Sequence, residues 1–371
     1  MENTRSRSQT VNRDIQINSI MSRVTNSDSD IRVERLSEPT AEWDEFILQH
    51  PQSRIYHLSC IHRVIRHTFG HPTRYIVARR NGCIVGGLPI VHMKSRFFGN
   101  FMISMPFFNY GGLCANEPDV KKALLQEAVQ IAEEESIDYL ELRHVQPQFP
   151  DLFHKSHKVG MYLDLPEHPD ILWDGFRSKL RSQIRRPQKD GVYIKVGKQE
   201  LLDDFYKVFS VNMRDLGTPV YSKNLFANVL KFCHEASWIV AAYKDGKPIA
   251  AGFLLGYKDI MEIPWASSLR KYNRLAANML MYWHALKLAI ELGYKKFDFG
   301  RSSPDSGTFR FKRQWGAEPV PLNWEYWLAN GATIPDMSPQ NGRFQLAIRL
   351  WQKLPLSVTR IVGPSIVRNI P

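Results

Sequence analysis

Cysteine is scarce in this chain, and the cysteines that occur are scattered. The 371 residues contain four of them, Cys60, Cys83, Cys114 and Cys233, and none belongs to a Cys-x-x-Cys pair. Structural zinc sites and disulfide frameworks both need closely spaced or numerous cysteines. The sequence therefore predicts neither, and it favours a reducing compartment such as the cytoplasm.

Long hydrophobic runs are also missing. The most apolar stretch, Phe97 to Phe108, is interrupted by Gly, Asn and Pro and is too short to span a bilayer. Residues 1–30 lack the apolar run of a signal peptide and are rich in Arg, Asn, Ser, Thr and Asp. We therefore expect a disordered tail over 1–30 and a cytoplasmic protein, with any membrane contact peripheral.

Acidic residues are in the minority. The chain has 37 Asp and Glu against 49 Lys and Arg, a formal net charge of +12. Such a surface favours anionic partners, namely phosphates, nucleic acid or acidic lipid, although charge alone fits a merely basic surface equally well. A hydrophobic fraction of 43% excludes a disordered chain, and the length allows two domains.

An internal repeat is present. Tyr75 to Ile90 and Trp238 to Leu255 each predict a β-hairpin, with Asn-Gly and Asp-Gly at the turns. Each hairpin is followed by a helix, Leu124 to Glu135 or Met281 to Leu292, and then by a strand that contains an acidic residue. The repeat predicts a duplicated α/β (α+β) domain. We place the two copies at 31–165 and 191–330.

The segment between the copies, 166–190, predicts a basic linker helix. Helical character extends from Trp173 to Arg186, and Arg177, Arg181 and Arg185 recur every four residues along one face. Pro187 is expected to end or kink this helix. The arginine row fits either an anionic partner or a solvated linker.

The C-terminal segment, 331–371, has five basic side chains and one acidic side chain. In a helical projection its apolar residues fill one broad arc: Phe344, Leu346, Ala347, Ile348, Leu350, Trp351 and Leu354. Such an amphipathic helix either docks on the protein's own core or lies in a membrane interface, and the sequence leaves both open.

The stretch from Gly293 to Gly316 carries the clearest sign of chemistry. A helix ends at Gly293, a strand follows at Phe297 to Phe299, and a Gly/Ser/Pro/Asp loop precedes the aromatic-basic segment FRFKRQWG. Period-two alternation in that segment faces Arg310 and Lys312 to one side. Because sites are commonly built at strand ends, we expect the site of the second copy here.

These motifs together resemble a known family. LRSQIRRPQKDGVYIKV resembles the K-x-R-x-x-I-R-K-A-x-K-x-G-V entry to the second domain of Fem-type transferases. AANMLMYWHALKLAIELGYKKFDFG and GTFRFKRQWG resemble their closing helix, D-F-G strand and F-K-x-x-F-G signature. Over about residues 31–330 the chain resembles FemAB-related members of the GNAT-like acyl-CoA N-acyltransferase superfamily. It is most similar to the branch that accompanies exosortase/PEP-CTERM gene clusters.

The resemblance implies a fold and an activity. The fold is two tandem GNAT-like domains, each a mixed, mostly antiparallel sheet flanked by helices. The activity is transfer of an acyl or aminoacyl group from a carrier to an amine of a cell-envelope or exopolysaccharide precursor. The implied partners are an anionic glycan or lipid-linked precursor and, for an aminoacyl donor, tRNA. Contact with the inner membrane is expected only if the C-terminal helix lies in the membrane interface.

The acyl donor stays open between acyl-CoA and aminoacyl-tRNA. The helical arm that some Fem proteins associate with tRNA has no room in this chain. The nearest candidate for the GNAT pyrophosphate loop, Lys271 to Ala276, lacks the first glycine. His284 has no ligand-spaced partner, so no metal site is expected.

The resemblance also suggests catalytic residues. Lys312 matches the Fem lysine that is thought to serve the developing negative charge. Asp298 sits between two phenylalanines, and a carboxylate there needs a partner, which we expect to be Arg301, Lys312 or an acceptor amine. Glu262 lies where many GNAT enzymes keep a general base.

Other residues are candidates for binding substrate. Arg181 and Arg185 match arginines of the Fem linker motif, and with Arg301 we assign them to a phosphate or uronate group. Asn109 and Tyr110 resemble a loop that opens onto the acceptor cleft, with core packing as the alternative. Two other functions stay open: an acetyl-CoA-dependent N-acetyltransferase of a small amine or amino sugar, and a non-catalytic scaffold that binds glycan precursors.

Overall fold

The structure is a computed structural model, and it describes residues 31–95, 98–156, 158–334 and 342–370. The predicted disordered tail, residues 1–30, lies outside the described residues, as do residues 335–341 of the predicted C-terminal segment.

The first half of the chain alternates helices and strands. Its elements are β1 (Arg32–Leu36), α1 (Ala41–Gln49), α2 (Ser59–Phe69), β2 (Thr73–Arg80), β3 (Cys83–Ser95), β4 (Gly99–Ile103), β5 (Cys114–Ala115), α3 (Pro118–Glu134), β6 (Tyr139–His144) and β7 (Phe153–Lys155). A short 3-10 helix, Ile55–His57, precedes α2.

The second half repeats this pattern and adds two helices at its end. Its elements are β8 (Val159–Asp164), α4 (Pro169–Gly175), α5 (Ser178–Lys189), β9 (Tyr193–Gly197), α6 (Leu202–Leu216), α7 (Lys223–Phe232), β10 (Ser237–Lys244), β11 (Lys247–Tyr257), β12 (Ile260–Ser268), α8 (Ala277–Glu291), β13 (Lys296–Ser302), α9 (Gly307–Arg313), β14 (Glu318–Pro321), β15 (Asn323–Leu328), α10 (Gly342–Lys353) and α11 (Leu356–Val367). Further 3-10 helices span Gln199–Leu201, His234–Ala236 and Arg270–Leu275.

The strands form two mixed sheets. The first has the order β1-β2-β3-β4-β6-β15-β7, with β5 paired to β3, and the second has the order β14-β8-β13-β12-β11-β10-β9. The only parallel pairs among the described strands are β4 with β6 and β12 with β13. The predicted fold class, a duplicated α/β protein with mixed, mostly antiparallel sheets, is confirmed.

Both predicted hairpins form. Asn81 and Gly82 at the first turn have φ of 52° and 83°, and Asp245 and Gly246 at the second have φ of 50° and 71°. Two consecutive left-handed residues define the turn that matches the right-handed twist of the flanking strands. Asn, Asp and Gly are the residues that adopt this backbone at the lowest cost.

The two halves exchange strands. β8 precedes the predicted boundary at residue 165, yet it pairs with β13 and β14 in the second sheet. β15 lies in the predicted second domain, yet it pairs with β6 and β7 in the first sheet. The two sheets therefore do not correspond to the two predicted segments, 31–165 and 191–330, because each sheet includes a strand from outside its own segment. Alternating polarity indicates a strand, but it does not identify a distant pairing partner.

Glu325 fastens β15 to the first sheet. It is fully buried, and its carboxylate accepts hydrogen bonds from His144 Nδ1, from the Gln148 N–H at 3.0 Å and from the Phe149 N–H at 2.6 Å. We expect Glu325→Ala to lower the free energy of unfolding by about 3–5 kcal/mol, because it leaves buried donors unpaired. Urea unfolding of the full chain measures this.

The matched control for that variant is Glu318→Ala on the exposed strand β14, which should change stability by about 0.5 kcal/mol or less. Equal stability of the two variants would contradict the anchoring role of Glu325.

One of the hydrophobic cores contains residues from both halves of the chain. The ring of Tyr56 stacks on Phe108 at 4.3 Å, and Phe108 meets Trp265 edge-on at 6.0 Å. Trp265 in turn contacts Phe226 at 5.1 Å. Aromatic side chains from the two halves thus interleave, and burial of their large surfaces stabilises the junction between the sheets.

The linker is two helices and not one. α4 ends at Gly175, and α5 begins at Ser178 with Arg177 as its N-cap. Pro187 lies inside α5 and is buried, and the helix ends two residues after it, at Lys189. Pro187 stands three positions before the C-cap Asp190, and the fixed φ of proline is compatible with that last turn.

The C-terminal helices dock on the protein's own core. α10 and α11 both pack against α6. Gly363 lies so close to the chain that an added Cβ would stand 2.9 Å from the Val220 nitrogen, and the Arg360 guanidinium donates to Ser210 Oγ. The docking alternative is therefore observed over the described part of this segment, which begins again at residue 342.

Two of the scattered cysteines meet in space. Cys60 on α2 and Cys233 at the end of α7 are joined by a disulfide, with their Cα atoms 5.5 Å apart. The sequence argued against a framework of disulfides, and it did not predict this single pairing. Their separation of 173 residues hid the pairing, because it depends on how α2 packs against α7. No helix within the described ranges is both long and apolar enough to cross a membrane.

Candidate functional site

Two buried carboxylates lie side by side on the parallel strand pair of the second sheet. Glu262 on β12 and Asp298 on β13 are register partners in the parallel strand pair. Asp298 is only 1% exposed and Glu262 is 5% exposed. The structure thus brings together two of the three predicted catalytic residues.

Tyrosines supply most of the hydrogen bonds to this acid pair. Tyr56 Oη donates to Glu262 Oε2 at 2.6 Å, and Tyr110 Oη donates to Asp298 Oδ2 at 3.2 Å. Tyr162 Oη donates to Tyr110 Oη at 2.6 Å. Tyr56 and Tyr110 come from the first half of the chain, so the site lies at the junction of the halves.

Burial raises the pKa of both carboxyl groups. Desolvation, followed by repulsion from Asp298, raises the pKa of Glu262 to about 8. Desolvation likewise raises the pKa of Asp298, although the Gly300 N–H, which donates to Oδ1 at 2.7 Å, opposes the shift. Glu262 Oε1 is buried and has no hydrogen-bond partner among the described residues. That oxygen therefore keeps an unused capacity to accept a hydrogen bond.

Lys312 closes the site from α9. Its ammonium group donates to the carbonyl oxygens of Gly300 at 2.9 Å and Arg301 at 2.8 Å, and the side chain is 7% exposed. An ammonium group has three donors, so one is left over. Desolvation lowers the pKa of Lys312 to about 8, against the attraction of Asp298 and Glu262.

The segment around Lys312 is helical, and the expected period-two alternation was wrong. α9 spans Gly307–Arg313, and the side chain of its N-cap, Ser306, accepts from the Phe309 N–H. Residues that are two positions apart in a helix lie on different faces. Arg310 is therefore exposed while Lys312 is buried.

The corresponding position in the first copy of the repeat does not have this pair of carboxylates. Its acid, Glu141, faces Ile103 and not a second carboxylate. Glu141 is also neutralised by Arg143, whose Nε lies 2.6 Å from Oε1. At the offset that aligns the two copies, Gly300 takes the place of Arg143. Gly300 has a φ of 74°, a conformation that glycine adopts without strain.

Arg301 and Asn109 lie at the rim of the site. Arg301 is exposed, with its guanidinium 5.5 Å from the ring of Trp324, and the hydrogen bonds to Asp298 come from Tyr110 and Gly300. Ion pairing of Asp298 with Arg301 is therefore not observed. The Asn109 carbonyl accepts from Trp324 Nε1 at 3.2 Å.

Arg181 and Arg185 are not brought into this cluster. Arg181 lies 3.8 Å from Asp174, and the Arg185 guanidinium lies 5.0 Å from the ring of Trp173. α5, which carries both arginines, packs against α8. Their assignment to substrate stays a prediction.

Sequence reasoning missed three members of the site. Tyr56 and Tyr162 hydrogen-bond within the acid cluster. Arg54 lies 5.5 Å from the ring of Tyr110, and its Nε is buried without a partner among the described residues. None of them belongs to a recognisable motif, and Arg54 and Tyr56 are far from Asp298 in the chain. Among the described residues, no group of three or more His, Cys, Asp or Glu side chains is placed to hold a metal ion.

Comparison with known proteins gives the site a context. Residues 174–313 match the acetyltransferase (GNAT) domain. The UDP-N-acetylmuramoylpentapeptide-lysine N(6)-alanyltransferase of Weissella viridescens is 26% identical over 162 residues, which are 42% of this chain and 48% of that protein. The chain thus spans about half the length of the curated relative it matches.

Solved structures share the architecture of most of the chain. FemX aligns with a TM-score of 0.64 and 15% identity, over 85% of this chain and all of that one. The C-terminal domain of a putative lysylphosphatidylglycerol synthetase from Agrobacterium fabrum aligns with a TM-score of 0.54 and 15% identity, over 84% and 94% of the two chains. A tandem GNAT protein from the clavulanic acid biosynthesis pathway aligns with a TM-score of 0.53 and 13% identity, over 83% of this chain and all of that one.

These likenesses confirm a fold of two tandem GNAT-like domains. The acid pair and Lys312 lie within residues 174–313, the part of the chain that matches the acetyltransferase (GNAT) domain.

Proposed function

We propose that this chain is a Fem-like N-acyltransferase, which moves an acyl or aminoacyl group from a carrier to an amine of a cell-envelope or exopolysaccharide precursor. The observation that carries the proposal is the buried ammonium of Lys312 beside the acid pair of Glu262 and Asp298. The alanyltransferase of Weissella viridescens supports the cell-envelope acceptor. The resemblance to the exosortase/PEP-CTERM branch points to an exopolysaccharide precursor.

Each group has a role in this reaction. The acceptor nitrogen attacks the donor carbonyl carbon, and the spare donor of Lys312 stabilises the oxygen that becomes negative. Glu262 accepts the proton that leaves the attacking nitrogen, since a base with a pKa of about 8 is matched to neutral conditions. The tetrahedral intermediate then collapses to the amide, and the carrier leaves with a proton.

The experiment that tests this function is donor profiling. The purified full chain is incubated with an amine acceptor and either an acyl-CoA pool or charged tRNA, and mass spectrometry follows amide formation. We expect one donor class to be consumed with one amide formed per donor. Transfer of acetyl groups to a free amine or amino sugar would select the small-molecule alternative. No amide with either donor class would favour a scaffold.

We also propose that the outer face of α10 and α11 contacts a membrane. Five apolar side chains there are 37–76% exposed: Leu346, Leu350, Val358, Ile361 and Val362. Residues 342–370 contain five basic residues and no acidic residue. An exposed apolar face on helices whose charged residues are all basic fits the surface of an anionic bilayer.

The membrane proposal predicts a result for point variants. We expect Leu350→Asp/Ile361→Asp to weaken binding to phosphatidylglycerol-containing vesicles by roughly tenfold or more, because two apolar anchors are lost and two negative charges are added. Vesicle co-sedimentation measures this. Leu48→Asp, at an exposed leucine on α1, is the control that should leave binding unchanged. Equal binding of both variants would contradict a contact through these helices.

A further inference from the structure

A cavity opens beside α9, on the surface of the second half. Its volume is about 630 Å³, in the range of sites that hold small molecules and cofactors. The start of α5 and the end of α9 line it, and we call it the α5–α9 cavity. The acid pair and Lys312 are not among its lining residues.

The lining of the α5–α9 cavity is strongly basic. Arg177, Lys179, Arg310 and Arg313 all contribute to it, against the single acid Glu318, which forms an ion pair with Arg313. Arg177 and Lys179 have no ion pair or side-chain hydrogen bond among the described residues. Four cations around one concave surface attract an anion, and arginine suits phosphate in particular.

Backbone donors add to this charge. α5 has twelve residues and begins at the cavity, and the side chain of its N-cap, Arg177, makes no capping hydrogen bond. Its first turn contains no acidic residue. The first N–H groups of a helix have no partner within the helix, and together with the helix dipole they favour a bound anion.

A buried polar group at the cavity also has no partner. Trp315 is 1% exposed and is one of the lining residues. Its indole N–H finds no acceptor among the described residues. The wall of the cavity thus contains a hydrogen-bond donor that the described part of the chain leaves unused.

α9 connects this cavity with the reacting groups. Arg310 and Arg313 line the cavity from the same helix whose Lys312 donates to the carbonyl oxygens of Gly300 and Arg301. A helix is about 10 Å across, so a ligand in the cavity lies one helix away from the acid pair. An acyl chain that extends past α9 has only that distance to cover.

We infer that the α5–α9 cavity binds the nucleotide phosphates of the acyl carrier. This inference rests on the proposed acyl transfer. Coenzyme A and the 3′ end of an RNA both carry such phosphates, and the cavity has the size of one nucleotide and not of a folded RNA. The arginine row predicted on α5 thereby acquires a second use, since its first member, Arg177, reaches the cavity.

Isothermal titration calorimetry of the full chain tests the inference. The probes are coenzyme A, inorganic pyrophosphate and a short RNA that ends in CCA. We expect coenzyme A or the RNA to bind, and Arg177→Ala/Lys179→Ala to raise its Kd at least about tenfold, as does Arg310→Ala. Lys189→Ala, at the opposite end of α5, is the matched control and should bind like the wild type.

The outcomes separate the inference from the proposed function. No binding of any probe to the wild type, or an unchanged Kd in both cavity variants, would overturn the inference. Lys312→Ala should bind the probe with the wild-type Kd, because the Lys312 side chain does not line the cavity. Intact probe binding without amide formation would instead count against the proposed transfer.

Discussion

Lys312→Ala is expected to lower kcat for amide formation by roughly 100- to 1,000-fold, the usual effect of removing one donor to a developing oxyanion. The ammonium group is held in place by the carbonyl oxygens of Gly300 and Arg301 before any substrate binds. Its orientation therefore costs nothing at the moment of reaction. Steady-state kinetics with the donor found by profiling measure the effect.

Folding has to be separated from chemistry in that variant, because Lys312 is buried and bridges two carbonyl groups. Lys312→Met keeps most of the side-chain volume, and thermal unfolding shows whether each variant folds. Lys287→Ala, an exposed lysine on α8, is the matched control. If folded Lys312→Met retained activity within about threefold of the control, the assigned role of Lys312 would be wrong.

Glu262→Gln is expected to reduce kcat/KM by roughly 100- to 10,000-fold at neutral pH, because the amide cannot accept the proton of the attacking nitrogen. In the wild type the rate should rise with pH as Glu262, with its pKa raised to about 8, loses its proton. It should fall at higher pH as Lys312, with its pKa lowered to about 8, loses its charge. The expected pH profile of kcat/KM is a narrow bell centred near pH 8.

The variant Tyr56→Phe tests whether the rising limb of the pH profile belongs to Glu262. The Tyr56 hydroxyl donates to Glu262 and lowers its pKa, so its removal should move the rising limb to higher pH. The falling limb, which belongs to Lys312, should stay in place. A profile identical to that of the wild type in both Glu262→Gln and Tyr56→Phe would show that another group takes the proton.

Local features of the fold could be predicted from the sequence. The two hairpins follow from Asn81-Gly82 and Asp245-Gly246, because few residue pairs tolerate two left-handed conformations. The polar loop after the strand at Phe297 to Phe299 predicted where the candidate site would lie. Asp298 is costly to bury, and the structure places it in a hydrogen-bonded cluster.

Features that depend on distant contacts could not be predicted. The exchange of β8 and β15 between the sheets leaves no trace in either strand's own pattern. Tyr56 reaches Glu262 across 206 positions of the chain, and no local motif records that contact. The segment around Lys312 alternates like a strand, yet the cap at Ser306 begins a helix there.

A crystal structure with a bisubstrate analogue, in which a tetrahedral centre joins donor and acceptor, tests the central claim most directly. The account predicts the oxyanion-mimicking oxygen within about 3 Å of Lys312 Nζ and the acceptor nitrogen within about 3 Å of the Glu262 carboxylate. An analogue bound with its tetrahedral centre more than about 6 Å from both groups would contradict it.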